Sequence, residues 1–285
     1  MKKSVVIAEK PSVARDIARV LNCNKKGNGF LEGDNHIVTW ALGHLVTLAE
    51  PEAYDNKYKT WNLEDLPMLP NELKLVVIKQ TGKQFNAIKS QLLRADVGDI
   101  TIASDAGREG ELVARWIIAK SKVSKPIKRL WISSITDKAI KDGFQNLKPG
   151  KDYEDLYHAA VARSEADWYI GLNATRALTS KFNAQLSCGR VQTPTVSIIA
   201  KREEEIRNFK PQTYYGIEAH TDQKLTLTWK DSQSNNTKTF SKEKIEQTLA
   251  RVDKKYGKVV EVEKKDKKSF SPQLYDLTEL QRDAN

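Results

Sequence analysis

Ser4-Val5-Val6-Ile7-Ala8 is an unbroken apolar run of strand length, as expected of a strand buried on both faces. Glu9-Lys10 ends it, Pro11-Ser12 opens a helix, and Val13, Ile17 and Val20 share one stripe of that helix as far as about Leu21. The alternation then repeats. His36–Trp40, Leu73–Ile78, Asp99–Ala103 and Ile127–Ile132 read as strands. Lys83–Leu93, Glu109–Lys120 and Thr136–Leu147 read as helices, the second with Leu112, Trp116 and Ile117 at helical spacing. Strands alternating with helices predict an α/β fold with a mainly parallel sheet covered on both faces.

The pattern turns helical from Asp152 to Phe209, where Thr193-Pro194 reads as an N-cap followed by proline at the first helical position. It changes again after Pro211. Tyr214–His220, Leu225–Lys230 and Lys258–Val262 are expected strands, with a helix over Lys242–Asp253 between the last two. Asp276–Asn285 starts a helix and stops without a cap. The fold expected is therefore an α/β domain over 1–150, a mainly α segment over 151–212 and a small β-containing segment over 213–285.

Composition narrows the classes. With 285 residues, 39% hydrophobic and 29% charged, the chain is polar but well able to build a core. No run approaches the ~18 apolar residues of a membrane span, and Met1-Lys2-Lys3 leads into too short an apolar stretch for a signal peptide. A cytoplasmic protein without a membrane partner is expected. Cys23 and Cys188 are the only cysteines, which excludes a disulfide scaffold and a Cys-x-x-Cys zinc site. The net charge is +10, and residues 1–30 hold seven basic against two acidic side chains. Such a localised basic region points to an anionic partner, most often nucleic acid.

In an open parallel sheet, ligands bind beyond the carboxyl ends of the strands. Two of those ends carry acids here: Glu9 after the first strand, and Asp105 in Ser104-Asp105-Ala106-Gly107-Arg108-Glu109-Gly110-Glu111. Clustered carboxylates are hard oxygen ligands that suit Mg²⁺, which keeps several waters and bridges to phosphate. Lys10 and Arg108 beside them favour phosphate oxygens. The competing reading is that Asp105 and Glu111 only cap a helix, each stabilising its dipole by about 0.3–1 kcal/mol.

Four ordered motifs then carry a resemblance. They are Val6–Ala14 (VIAEKPSVA), Asp105-x-Gly107-Arg108-Glu109-Gly110-Glu111, Ala162–Ala177 (ARSEADWYIGxNxTRA) and Leu186–Thr195 (LSCGRVQTPT). Together they resemble type IA DNA topoisomerases, the topoisomerase III branch, with the first two in the Toprim domain. Gly43-His44-Leu45 and Trp61-x-x-x-Asp65-Leu66-Pro67 agree.

The resemblance implies Mg²⁺-dependent, ATP-independent breakage, passage and rejoining of single-stranded DNA through a 5′-phosphotyrosine. The substrate would be negatively supercoiled or catenated DNA, and the complete enzyme a monomer. It implies that Glu9 is an acid/base and metal ligand, that Lys10 neutralises charge or donates a proton there, and that Asp105 binds Mg²⁺. Arg108 would hold phosphate and Glu109 would assist.

Two departures stand out. The family's Asp-x-Asp-x-Glu triad has Gly107 at its middle position, so one weaker Mg²⁺ site on Glu9 and Asp105 is expected. None of the nine tyrosines is followed by Pro-Arg, so the family's Thr-Tyr-Pro-Arg-Thr nucleophile motif is missing. The chain therefore reads as an N-terminal piece: Toprim domain, the first part of the helical groove domain, and the start of the arch. Alone it is expected not to cleave DNA.

Single-stranded DNA is held by basic grooves and aromatic stacking, worth ~1–3 kcal/mol per base. Arg163, Arg176, Arg190, Trp61, Trp168 and the loop Ser187-Cys188-Gly189-Arg190-Val191-Gln192 are the candidates. For Trp168 a core role competes evenly. Asp167 reads as orienting Arg163 or Arg176, and His44 as structural rather than groove-facing. The other functional readings are a non-cleaving single-strand-binding fragment and another Toprim phosphotransfer enzyme, a primase or nuclease. The groove motifs argue against the last.

Overall fold

The structure is a computed structural model that describes residues 2–252 and 256–284. The chain forms two compact units, 1–204 and 205–285.

The first unit is built on a seven-stranded sheet. Its strands are β1 Lys3–Ala8, β2 Lys25–Gly27, β3 Phe30–Glu32, β4 His36–Trp40, β7 Val97–Ala103, β8 Ile127–Arg129 and β9 Lys148–Pro149, in the order β2-β3-β4-β1-β7-β8-β9. The inner four, β4-β1-β7-β8, are parallel, and the outer strands are antiparallel additions. A separate pair, β5 Val46–Leu48 with β6 Leu75–Val77, lies antiparallel.

β1 is the centre of the sheet, and its apolar run is explained by burial on both faces. Val5 and Ile7 join a core with α2 Gly82–Leu92, α3 Arg108–Ser121 and α5 Glu154–Phe182, which contribute Ile88, Leu112, Trp116, Ile117, Ala160 and Trp168. Val6 and Ala8 point the other way, to Ala14 and Ile17 of α1 Pro11–Val20 and Ile140 of α4 Asp137–Gln145. This period-2 division of one strand between two cores makes the expected α/β architecture.

The remaining elements refine the expectations. The β2–β3 hairpin, β5 and β9 are built from strands of only two or three residues, too short to show a period. Ile127–Ile132 pairs only over Ile127–Arg129. The helical segment holds α5 and α6 Gln192–Arg207. Thr193 is not the N-cap expected from the sequence: α6 already begins at Gln192, and the Thr193 hydroxyl accepts a hydrogen bond from Gly189 N at 2.9 Å. Pro194 is tolerated because the first helical turn needs no amide donor.

In the second unit, β10 Glu218–His220 and β11 Thr226–Thr228 form a hairpin, followed by α7 Lys242–Arg251 with a Ser241 cap and α8 Leu277–Ala284. The expected end of α7 at Asp253 lies outside the described residues. Lys258–Val262 is not a strand. Its β-branched residues join no ladder, and Val260 is 92% exposed. Asp276 accepts a bond from Glu279 N at 2.8 Å and so caps the last helix at its start. Among the described residues no helix is long and apolar enough to cross a membrane.

Candidate metal–phosphate site and groove loop

Sheet register brings the two acid loops together. β1 and β7 are adjacent and parallel, with Ala8 opposite Ala103, so both chains leave the sheet at the same edge. Glu9 and Asp105 follow within two residues. Asp105 N donates to Glu9 Oε2 at 3.0 Å, and Lys10 Nζ lies 3.5 Å from Asp105 Oδ2. Of the four residues, Glu9 is half-buried and Lys10, Asp105 and Arg108 are at least partly exposed. They therefore line an open edge rather than a cavity.

Each loop has a local cause. Pro11 starts α1 directly after Lys10, because its fixed φ suits the first helical turn. Gly107 is the N-cap of α3, and Glu109 and Glu111 occupy its first turn. Gly110 allows a close approach that no other residue would, since a Cβ there would lie 2.2 Å from the Asp105 carbonyl oxygen. Ser104 Oγ donates to Gly110 O at 2.7 Å and closes the loop upon the helix.

Glu9 and Asp105 supply two hard oxygen donors. No cluster of three or more His, Cys, Asp or Glu side chains is placed to hold a metal among the described residues. Two carboxylates fit Mg²⁺, which is bound through one or two carboxylates with water and phosphate completing its shell. They would not fit a dedicated all-protein cage. The Glu109 carboxylate lies beside His44, whose Nε2 is 3.8 Å from Glu109 Oε2 and whose ring packs edge-on to Trp116.

Beneath the loop lies a buried cluster that the sequence did not reveal. Arg129, at the end of β8, donates to the carbonyls of Ile102, Ser104, Leu130 and Asp105. Its Nε stands 2.5 Å from Glu111 Oε1. They meet as an ion pair rather than an aligned hydrogen bond. Arg115 binds the other Glu111 oxygen at 2.8 Å and Gly150 O at 2.5 Å. Burial lowers the Arg129 pKa, and Glu111 opposes that shift. The available signal was Glu111 itself, an acid that reads as a cap but points inward from α3.

The groove candidates separate into two groups. The row Asp167-Gly171-Thr175-Thr179 runs along one side of α5 at four-residue spacing. Thr179 Oγ1 donates to Leu186 O and Thr175 Oγ1 to Cys188 O, at 2.8 and 3.2 Å. Both hydroxyls also accept from the amides of those same loop residues. Arg190 Nε binds Asp167 Oδ1 at 2.7 Å, which lowers the Asp167 pKa. Asp167 is thus hydrogen-bonded to Arg190 rather than to Arg163 or Arg176, with Arg163 adding only a longer-range attraction. Ser187, Arg190, Val191, Gln192 and Arg163 are exposed, whereas Cys188 and Gly189 are half-buried.

Trp168 and Arg176 lie inside. Trp168 is 8% exposed and donates Nε1–H to Ala49 O at 2.9 Å, so its placement fits the core alternative. Arg176 is 4% exposed, donates to Tyr58 O at 2.6 Å and sits 5.1 Å from the Trp61 ring. Neither offers DNA a free side chain in this conformation. Trp61 remains 46% exposed above Arg176.

With this geometry in place, comparison with known proteins gives the family. Residues 4–135 match the model of the Toprim domain, and residues 151–285 match the model described as DNA topoisomerase. The chain belongs to the DNA topoisomerase family. It is 76% identical over all 285 residues to DNA topoisomerase 3 of Bacillus cereus and 67% identical to that of Bacillus subtilis. It spans 39% of the length of each of these relatives. Full-length topoisomerase I from Thermotoga maritima shares the fold, with a TM-score of 0.57 over 87% of this chain and 38% of that one, at 24% identity.

Proposed function

We propose that these residues supply the metal–phosphate site and part of the single-stranded DNA groove of a type IA topoisomerase. In the complete protein the activity would be ATP-independent breakage and rejoining of DNA through a 5′-phosphotyrosine, relaxing negative supercoils or separating catenanes. It would act as a monomer in the cytoplasm. The observation that carries the reading is the Asp105 N–Glu9 hydrogen bond, which joins two acid–base loops at one sheet edge. In finer division, 1–150 forms the Toprim domain, 151–212 the start of the helical domain and 213–285 the start of the arch.

Glu9 and Asp105 would hold Mg²⁺, which when bound supplies positive charge beside a phosphate. Lys10 and Arg108 give further cationic contacts at the same edge. Glu9 is the group able to hold or release a proton next to the scissile phosphate. The loop 187–192, with Trp61 and Arg163, meets the strand elsewhere. No tyrosine here lies in the family's nucleophile motif, so the 285-residue chain binds without cutting.

The test mixes the chain with a labelled single-stranded oligonucleotide and Mg²⁺, quenches with SDS, and measures binding against salt in parallel. Salt-sensitive binding without a covalent adduct is expected. Arg190→Ala should reduce the slope of log K against log salt by about 0.7, one single-strand phosphate contact. Absence of binding, or an SDS-stable adduct on one of the nine tyrosines, would overturn the reading.

A further inference from the structure

Glu111 is fully buried between Arg115 and Arg129, and the proposed chemistry does not use it. A carboxylate buried beside two guanidiniums is not explained by helix capping, because a cap faces the backbone amides of its own first turn. Glu111 instead turns both oxygens to arginines. Arg129 reaches from Glu111 to the carbonyls of Ile102, Ser104 and Asp105, three residues of the stretch that ends β7 and carries the acid. Arg115 reaches from Glu111 to Gly150 O, just before α5, and its guanidinium lies 5.3 Å from the Tyr157 ring on that helix.

We propose that Glu111 is a positioning residue for the acid loop. Its buried carboxylate fixes Arg129, and Arg129 fixes the backbone from which Asp105 faces Glu9. The same carboxylate, through Arg115, ties the loop to the start of α5. The Asp105 carbonyl is thus held from two sides, by Arg129 Nη2 at 2.8 Å and by Gly110, which has no side chain to push it away. Groups that orient metal ligands in this way typically change metal affinity 10–100-fold when removed. The inference rests on the metal-site reading for its affinity readout but not for its structural one.

The experiment compares the wild-type chain, Glu111→Gln, and the double variant Glu111→Leu/Arg129→Met. It measures thermal stability, Mn²⁺ affinity by electron paramagnetic resonance, and hydrogen exchange at the Asp105 amide. Glu111→Gln leaves Arg129 uncompensated and should lose stability. The double variant replaces the buried pair with apolar groups and should recover much of it. It should nevertheless bind Mn²⁺ at least ~10-fold more weakly and exchange the Asp105 amide faster, with the Val5–Ala8 amides unchanged. A double variant of normal stability with wild-type Mn²⁺ affinity and Asp105 protection would overturn the proposal. If the wild type binds no Mn²⁺, the metal reading fails, and the exchange rates alone decide for or against the positioning role.

Discussion

Gly110→Ala separates helix propensity from loop geometry. Gly110 lies in the first turn of α3, where alanine is normally preferred over glycine by about 1 kcal/mol. Propensity alone therefore predicts a more stable protein. The structure reverses the sign, because the new Cβ would stand 2.2 Å from Asp105 O and 3.1 Å from Asp105 N. Real Cβ contacts essentially never fall below 3.0 Å, so the Asp105 carbonyl must retreat by about 0.8 Å, the difference between 3.0 and 2.2 Å. Arg129 and the Glu9 contact hold the loop against that movement. Overpacking of this kind costs about 1–3 kcal/mol. After the propensity gain of about 1 kcal/mol, a net loss of up to about 2 kcal/mol is expected in urea unfolding. The displaced Asp105 should also weaken Mn²⁺ binding. Gly107→Asp is the contrasting substitution. Nothing lies within 4 Å of a Cβ there, and the backbone is extended at φ −178°. An aspartate would improve the N-cap by a few tenths of a kcal/mol and add a third carboxylate, raising Mn²⁺ affinity. If Gly110→Ala proves as stable as wild type with unaltered metal binding, the close-approach argument is wrong.

Other substitutions test the fold and the groove. Glu32 on β3 is 11% exposed and accepts from Arg94 and Lys3, which together hold its carboxyl down at about 2. Its ordinary value is 4.5, so it contributes about 3 kcal/mol above pH 5, lost as pH falls from about 4.5 toward 2. The stability gap between wild type and Glu32→Gln should therefore shrink to about 1 kcal/mol at pH 3; a gap that does not change with pH would remove the ion pair from the account. Trp168→Ala should destabilise by about 3–5 kcal/mol, as loss of a buried aromatic does, seen as a lower melting temperature. Trp61→Ala should leave stability within about 1 kcal/mol and weaken oligonucleotide binding by ~1–3 kcal/mol if a base stacks there; unchanged affinity would take Trp61 off the DNA path.

The parallel sheet was legible because its central strands are apolar runs and its helices carry a 3.6-residue stripe. Val5–Ala8 is the clearest case: four buried residues in a row state that both faces are covered. The short edge strands were not legible, since Lys25–Gly27 and Lys148–Pro149 hold no hydrophobic pattern and exist only through their neighbours. Residues 258–262 mislead for the converse reason: Val259, Val260 and Val262 have the propensity of a strand, but they join no ladder and are 75%, 92% and 83% exposed. Glu9 and Asp105 were legible as acids at strand ends, yet only the register of β1 against β7 brings them into contact. Arg129 gave no sign, because a lone arginine in Lys128-Arg129-Leu130 reads as surface charge. Its burial depends on Glu111, which lies on another element.

The same logic explains why Trp168 and Arg176 sit inside while Arg190 sits outside. α5 is flanked by the core on one side and by the loop 186–190 on another. Trp168 joins it to Ala49 and to the core, and Asn173 accepts from Met68 N at 2.6 Å, fixing the segment that follows Trp61. Asp167, Thr175 and Thr179 then hold the loop. The helix therefore sets the positions of Trp61 and Arg190 from a single element, and its buried Trp168 and Arg176 contribute by packing. On the proposed groove reading, the strand-facing candidates are the loop, Trp61 and the exposed Arg163 of α5, whereas the buried Trp168 and Arg176 act through the geometry they impose.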